Sequence, residues 1–206
     1  MTALITVEGE EALRRLNSLA AFVERSLVTH AADPPGRFDD GQGSSSDART
    51  VQETVIVRCV TVIEAYLADL ARRLVGNRLE GIPAGDAALV SLTSYLRNTG
   101  LMVLDQGKWE DLVKLWAGGL GVPIKQNYSE YGKLVALRTT RHAIIHRYGE
   151  ITELYRKQHR QRLEKEGFRD PLAAEGTVPL TDTDVVDALA LALATVRWLE
   201  RMLAAP

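Results

Sequence analysis

Apolar side chains recur every three or four residues along most of this 206-residue chain. That spacing places them on one face of an α-helix, whereas a half-buried strand would alternate apolar and polar residues. The clearest stretches run from about residue 8 to residue 30 and from about residue 48 to residue 75. Because strand signals are almost absent, the pattern predicts an all-α, up-down bundle of about five or six helices in a single domain.

The breaks between helices follow from Gly, Pro and Ser. These residues are concentrated at about 31–48, which predicts a flexible loop. The run Thr181-Asp182-Thr183-Asp184 has the composition of a helix start. A mobile basic segment is predicted at about 155–178, with a helical extension over 155–166 as the alternative. The other predicted helices cover about 86–102, 108–116, 130–148 and 181–203.

The charge balance limits the partners that the whole surface can bind. The formal net charge is -2. A protein that bound nucleic acid with its entire surface would be more basic, so any contact with nucleic acid must use a local patch.

A single cysteine, Cys59, excludes an intramolecular disulfide. Its position in an apolar helical pattern favours a small buried side chain over a reactive thiol. No signal segment opens the chain, and no apolar stretch approaches the roughly 20 residues that cross a bilayer. We therefore expect a cytoplasmic protein without membrane contact.

The helix predicted at 130–148 carries an arginine among apolar side chains. At roughly 100° per residue, Arg141 falls in the middle of the apolar arc, with Arg138 and His142 on one edge and His146 further round. The arc itself consists of Leu134, Leu137, Ile144, Ile145 and Tyr148, and the opposite, solvent-facing side of Ala136, Ala143 and Arg147.

Arg141 needs a partner, because a guanidinium stays charged and is costly to bury alone. That partner is a carboxylate, a set of carbonyls or a bound phosphate. Glu64, on the apolar side of the preceding long helix, is the best carboxylate candidate. An internal ion pair and a phosphate site therefore both remain open.

The two histidines also have more than one interpretation. A single histidine on a helix edge is most often structural, and two imidazoles four residues apart can hold a metal. No glutamate lies beside His142, however, and no third ligand occurs at useful spacing. No metal site is predicted.

Together, Arg141 and His146 suit RNA cleavage without a metal. That reaction needs a base for the 2′-hydroxyl proton, an acid for the leaving 5′-oxygen and a cation for the phosphate. Histidine titrates near neutral pH, and arginine matches phosphate oxygens. A two-fold dimer would bring two Arg-His pairs to one cleft, because an isologous interface repeats each residue across the axis.

The segment Arg141-His142-Ala143-Ile144-Ile145-His146 resembles the R-x4-H motif of the HEPN superfamily (higher eukaryotes and prokaryotes nucleotide-binding). The surrounding run 137–155, LRTTRHAIIHRYGEITELY, is similar in layout to the HEPN motif helix and the segment after it. The earlier run 60–67, VTVIEAYL, resembles the preceding long helix. The resemblance covers roughly residues 50 to 203 and is nearest to the RiboL-PSP-HEPN-like group. His142 departs from the family, where this position is often asparagine.

The resemblance implies a helical bundle that dimerises through the motif helix and acts as an endoribonuclease without a cofactor. Many such proteins are toxins, phage-defence effectors or RNA-processing enzymes. It implies phosphate and transition-state stabilisation by Arg141 and proton transfer by His146. His142 and Arg138 would support the site, and Glu64 would position Arg141.

Arg141, His146 and Tyr148 also fit the R-x4-H-x-Y form of HEPN toxins that are paired with nucleotidyltransferase-type antitoxins. In those toxins the tyrosine is modified and the toxin is silenced. The resemblance thus gives Tyr148 as a modification site and an antitoxin or other defence-system protein as a partner. The alternative is that Tyr148 packs in the core, because it lies on the apolar arc.

Local charge favours an RNA-binding patch. Between Lys125 and Lys165 there are ten basic and four acidic residues. The candidate RNA contacts are Lys133, Arg147, Arg156 and Lys157, with Tyr155 and His159 as candidates for stacking on bases. A solvated basic face is the alternative.

Two other functions remain open. One is a non-catalytic HEPN module that binds a nucleotide, RNA or a protein partner. The other is a helical interaction protein in which Arg141 is half of a buried pair. The intact Arg141 and His146 favour the nuclease over the first of these, and shielding of both residues from solvent would favour the second.

Overall fold

Helices make up the regular structure of the chain wherever the computed structural model describes it, which is at residues 5–32, 46–80, 109–147, 149–165 and 178–204. The all-α prediction is confirmed, with seven α-helices in these residues rather than five or six. They are α1 (Val7–Ala32), α2 (Ser46–Glu80), α3 (Trp109–Lys114), α4 (Ile124–Asn127), α5 (Tyr131–Arg147), α6 (Glu153–Lys165) and α7 (Asp182–Ala204). A π-helical turn, Leu115–Gly119, directly follows α3.

The predicted boundaries agree with these helices to within a few residues. The helix α2 begins at Ser46, so the predicted loop ends earlier than expected. Of the two alternatives for residues 155–166, the helix is the one observed, because α6 extends to Lys165. The helix predicted at 86–102, most of the 31–48 loop and residues 166–177 lie outside the described residues.

The long helix α2 forms the centre of the bundle and packs against α1, α5 and α7. Its inward stripe includes Val55, Cys59, Ile63 and Leu70, each at most 1% exposed. Cys59 is therefore the small buried side chain that was expected, and burial raises the pKa of its thiol to about 12.

Side chains cap the starts of α1 and α7. The Thr6 hydroxyl accepts the backbone N–H of Gly9 at 3.0 Å. At α7, the Thr181 hydroxyl accepts the N–H of Asp184 at 3.3 Å, and the Asp184 carboxylate accepts the N–H of Thr181 at 2.8 Å. Both starts satisfy N–H groups that have no partner within the helix, so the predicted helix start at Thr181 is confirmed.

A buried carboxylate joins three helices of the bundle. Glu200 on α7 accepts a hydrogen bond from the Tyr66 hydroxyl of α2 at 2.7 Å. It also accepts the backbone N–H of Thr6 at 2.8 Å and the Thr6 hydroxyl at 2.6 Å. Gly9 makes room for this carboxylate, since a Cβ there would lie 2.3 Å from its Oε1. Burial, and then the bond to Glu200, raise the pKa of Tyr66.

A smaller apolar cluster fastens α6 to the outer side of α5. Ala143, Ile151, Tyr155 and Val178 form it, and Tyr155 is fully buried. The prediction that Ala143 faces solvent is therefore wrong. Ile145, predicted to face the core, is 42% exposed. The cause is that α5 packs on α2 along one side and on α6 along another, which leaves Ile145 outside both contacts.

Across the described residues, no helix combines the length and apolar character needed to cross a membrane.

Candidate active site

The helix α5 presents two histidines side by side. His142 and His146 are four residues apart and both exposed, and their ring centroids are 4.6 Å apart with the planes inclined at 44°. One turn of helix separates them, so the contact follows directly from the sequence spacing. The two imidazoles share one patch of solvent-facing surface.

The carboxylate of Glu64 binds Arg138 and not Arg141. Arg138 Nε donates to Glu64 Oε1 at 2.8 Å, and the side chains are 25% and 29% exposed. The Arg138 guanidinium also lies over the Trp109 ring, 4.6 Å from its centroid. The prediction that Glu64 directly positions Arg141 is therefore wrong. Arg138 is the neutralised cation of the site, held between a carboxylate and an aromatic face.

Trp109 is buried, and it also carries Arg138 on its face. Nothing in the spacing of the sequence connects Trp109 with Arg138, because the contact joins two helices that are far apart along the chain.

Arg141, three residues after Arg138 on α5, is partly buried. Its Nε is shielded from solvent and has no hydrogen-bond partner among the described residues. Of the two alternatives left open for Arg141, an ion pair with Glu64 is thus not the one observed. A shielded guanidinium N–H without an acceptor is costly, and a phosphate oxygen is the kind of acceptor that satisfies it.

On its other side, α5 is fixed by the histidine of α6. His159 Nε2 lies 3.2 Å from the Ala136 carbonyl oxygen and 3.3 Å from the Thr140 hydroxyl. The Tyr155 ring stacks on the His159 ring at 4.2 Å between centroids. Because Tyr155 is fully buried, the prediction that it stacks on RNA bases is wrong. Both rings are used in packing α6 on α5.

The predicted RNA-binding patch is divided by the fold. Lys133 pairs with Glu130 at 2.5 Å, and the Lys133 and Lys157 side chains line a groove between α5, α6 and α7. Arg141, His142 and His146 do not line this groove. The Arg147 side chain and Tyr148 lie outside the described residues. Arg156 lies on α6, and its Nε is buried without a hydrogen-bond partner in the described part of the chain.

Metal ligands are not clustered in the described residues. No group of three His, Cys, Asp or Glu side chains there is close enough to hold an ion.

Comparison of the chain with protein-family models, with curated proteins and with solved structures gave no match. The class of this protein is therefore defined only by the features of its own fold and site. The chain is an all-helical protein that exposes two adjacent histidines on one helix, next to an arginine with a shielded, unpartnered N–H.

Proposed function

We propose that this protein is a metal-independent endoribonuclease of HEPN type, which works as a homodimer and serves as a toxin or phage-defence effector. Arg141 binds the scissile phosphate, and His146 transfers protons. His142 orients the neighbouring imidazole, with which it is in ring contact. Arg138, held by Glu64 and Trp109, keeps that carboxylate occupied and so preserves the positive charge of Arg141 for the substrate.

The chemistry is a transfer within the RNA strand. A neutral imidazole takes the proton of the 2′-hydroxyl, and the 2′-oxygen forms a bond to phosphorus. The bond from phosphorus to the 5′-oxygen breaks, and a protonated imidazole donates a proton to that oxygen. The products are a 2′,3′-cyclic phosphate and a 5′-hydroxyl end. Arg141 stabilises the charge that develops on the phosphate oxygens.

The observation that carries the proposal is that two neighbouring arginines differ in their hydrogen-bond partners. Arg138 has a carboxylate at 2.8 Å, whereas the shielded Arg141 Nε, three residues later, has no acceptor among the described residues. A cation that serves only packing is normally paired. An unpartnered guanidinium N–H beside two exposed imidazoles is what a phosphate-cleaving site requires before its substrate binds.

The dimer follows from the need for both a base and an acid. The exposed strip of α5 holds His142 and His146, together with Ile145, an apolar side chain that is 42% exposed. A two-fold contact along this strip would bury Ile145 and bring a second His146 to the same phosphate. One copy would then supply the base and the other the acid.

The test is cleavage of single-stranded RNA by purified wild type and by His146→Ala and Arg141→Ala. Loss of general acid–base catalysis lowers rates by about 10²–10⁴-fold, so both variants should be nearly inactive and should no longer arrest growth on expression. Arg197→Ala is the matched control, because Arg197 is an exposed arginine of α7. A chelator should leave wild-type cleavage unchanged.

Two results would contradict the nuclease. Equal cleavage by wild type and His146→Ala would trace the activity to a contaminant, and loss of cleavage with a chelator would require a metal. RNA binding that depends on Arg141, with no cleavage by wild type, would instead support the non-catalytic module.

A further inference from the structure

A basic groove lies between α1 and α2, and none of the side chains assigned to catalysis lines it. Its volume is about 720 Å3, within the usual range of ligand clefts. Three arginines and three hydroxyl-bearing residues line it: Arg14, Arg15, Arg58, Ser18, Thr54 and Thr61. None of the described residues that line it is acidic.

The guanidinium groups of this groove retain donors for a ligand. Glu11 accepts from Nε and one terminal nitrogen of Arg14 and from Nε of Arg15, which leaves terminal N–H groups on both arginines. Arg58 is exposed and makes no ion pair or hydrogen bond within the described part of the chain. One carboxylate thus pairs with two of the three arginines, and the excess positive charge suits a polyanion.

The groove also offers an aromatic surface. Phe22 is 39% exposed and lines the groove beside the apolar side chains of Leu19 and Val62. A phosphate ion or a run of purely acidic side chains would leave the exposed aromatic face without a contact. A nucleotide uses both, because its phosphate binds the guanidinium and its base stacks on the ring.

The groove approaches the site on α5 along the surface of α2. Thr61, which lines the groove, and Glu64, which holds Arg138, are three residues apart on α2 and therefore neighbours on its surface. Arg58 lies six residues before Glu64, about 9 Å along the helix axis. Because Arg138, the partner of Glu64, is three residues before Arg141 on α5, we expect a strand of a few nucleotides to span the separation of Arg141 and Arg58.

We propose that the groove between α1 and α2 binds the sugar-phosphate backbone of the single-stranded RNA whose scissile phosphate lies at Arg141, with one base on Phe22. This inference rests on the proposed function for the identity of the strand as substrate. It adds a binding subsite that lies outside the motif and that fixes the direction in which the RNA leaves the cleavage site.

The test uses the full chain with His146→Ala, so that RNA binds without being cut. Arg58→Gln, Phe22→Ala and the matched control Arg197→Gln are compared on RNAs of about 4 and about 12 nucleotides. Arg58→Gln should weaken binding of the longer RNA several-fold. It should also lower the salt slope by about 0.7, the value for one phosphate contact on a single strand. Phe22→Ala should weaken binding without changing the slope.

The outcomes separate the groove from the nuclease. Binding of the longer RNA by Arg58→Gln that equals binding by Arg197→Gln overturns the groove, whatever wild type cleaves. Displacement of the RNA by polyglutamate as readily as by unlabelled RNA also overturns it, because the groove would then bind acidic protein segments. If binding depends on Arg58 but wild type does not cleave RNA, the groove is an RNA-binding site and the proposed nuclease activity is wrong.

Discussion

At the scale of single residues, the partner of one carboxylate, Glu64, determines which arginine of the candidate site can bind an anion. Glu64 neutralises Arg138, and Trp109 supports the same guanidinium from its face. If Glu64 bound Arg141 instead, the site would hold a finished ion pair and two surface histidines. With Arg138 as its partner, the positive charge of Arg141 stays available to an anion in a partly shielded environment, where electrostatic interactions are stronger than in water.

Cys59 makes the stability of the fold sensitive to alkaline pH. Burial raises the pKa of its thiol from 9.0 to about 12, so the folded state keeps a proton that the unfolded chain loses. The associated stability is complete below pH 9 and is lost as the pH rises towards 12. From pH 8 to pH 10 the free energy of unfolding should fall by about 1.4 kcal/mol because of this group.

Urea denaturation at several pH values measures this effect, with Cys59→Ala as the comparison. The variant should be less stable at pH 8, because it leaves a small cavity, but its stability should fall less between pH 8 and pH 10. Tyr66 and Tyr128 also have raised pKa values, from 10.0, and act mainly above this interval. Parallel pH profiles of wild type and variant would contradict the prediction.

The burial of a single residue could be predicted from the sequence where its position in the apolar pattern of its own helix decides it. Cys59 lies in the middle of an apolar stripe, and its burial followed from helical spacing. The partner of Glu64 could not be predicted in the same way. Arg138 and Arg141 are three residues apart and neighbours on α5, so a carboxylate on a facing helix is able to reach either. The choice depends on the rotation of α5 about its axis and on Trp109.

At the scale of elements, α5 has two packing faces and one exposed strip. It packs on α2, with Leu134 and Leu137 buried in the main core, and it contacts α6 through Ala143 and the carbonyl of Ala136. A helical wheel assumes one core face, so Ala143 was predicted on the outside. A small side chain is what permits a second helix to approach closely, and composition alone does not distinguish the two situations.

The turn between α5 and α6 depends on glycine at one position. Gly149 has φ +81°, and a Cβ there would lie 3.3 Å from a terminal nitrogen of Arg49. Gly149→Ala should lower the free energy of unfolding by about 1–2 kcal/mol, because a side chain is strained in this conformation. Arg49 is not easily displaced, since it also donates to the Val178 carbonyl at 2.6 Å and pairs with Glu53.

Gly132→Ala is the matched control for Gly149→Ala. Gly132 lies in the first turn of α5, and a Cβ there would meet nothing within 4 Å. The substitution should raise the free energy of unfolding by about 0.4–1 kcal/mol, because alanine loses less backbone entropy in a helix. Denaturant titration of both variants measures the pair. A change of the same sign in both would contradict this account of the turn.

For the whole molecule, the central helix α2 contributes residues to both the candidate site and the basic groove. Arg138 attaches to α2 through Glu64, and the groove of Arg58 begins three residues away at Thr61. On the opposite face of α2, two residues after Glu64, Tyr66 donates to Glu200, which also binds Thr6. The all-helical class could be predicted from periodicity alone, but this division could not, because it depends on which helices flank α2.

The proposed dimer predicts that one His146→Ala chain inactivates a wild-type partner. A two-fold interface would bring both copies of His146 to the same cleft, one as the base and the other as the acid. A heterodimer of wild type and His146→Ala keeps one of these two histidines. Its rate of RNA cleavage should therefore fall by about 10²–10⁴-fold, as expected for the loss of a general acid or base, and not merely to half of the wild-type rate.

The heterodimer is prepared by refolding the two chains together, with a different affinity tag on each chain. Purification through both tags in turn isolates it, and its cleavage rate is compared with that of each homodimer. Ile145→Glu in both chains is the interface control. It places a charge on the exposed strip of α5, and should prevent dimer formation. A heterodimer that is isolated intact and cleaves at half the wild-type rate would show that the two subunits do not share one cleft.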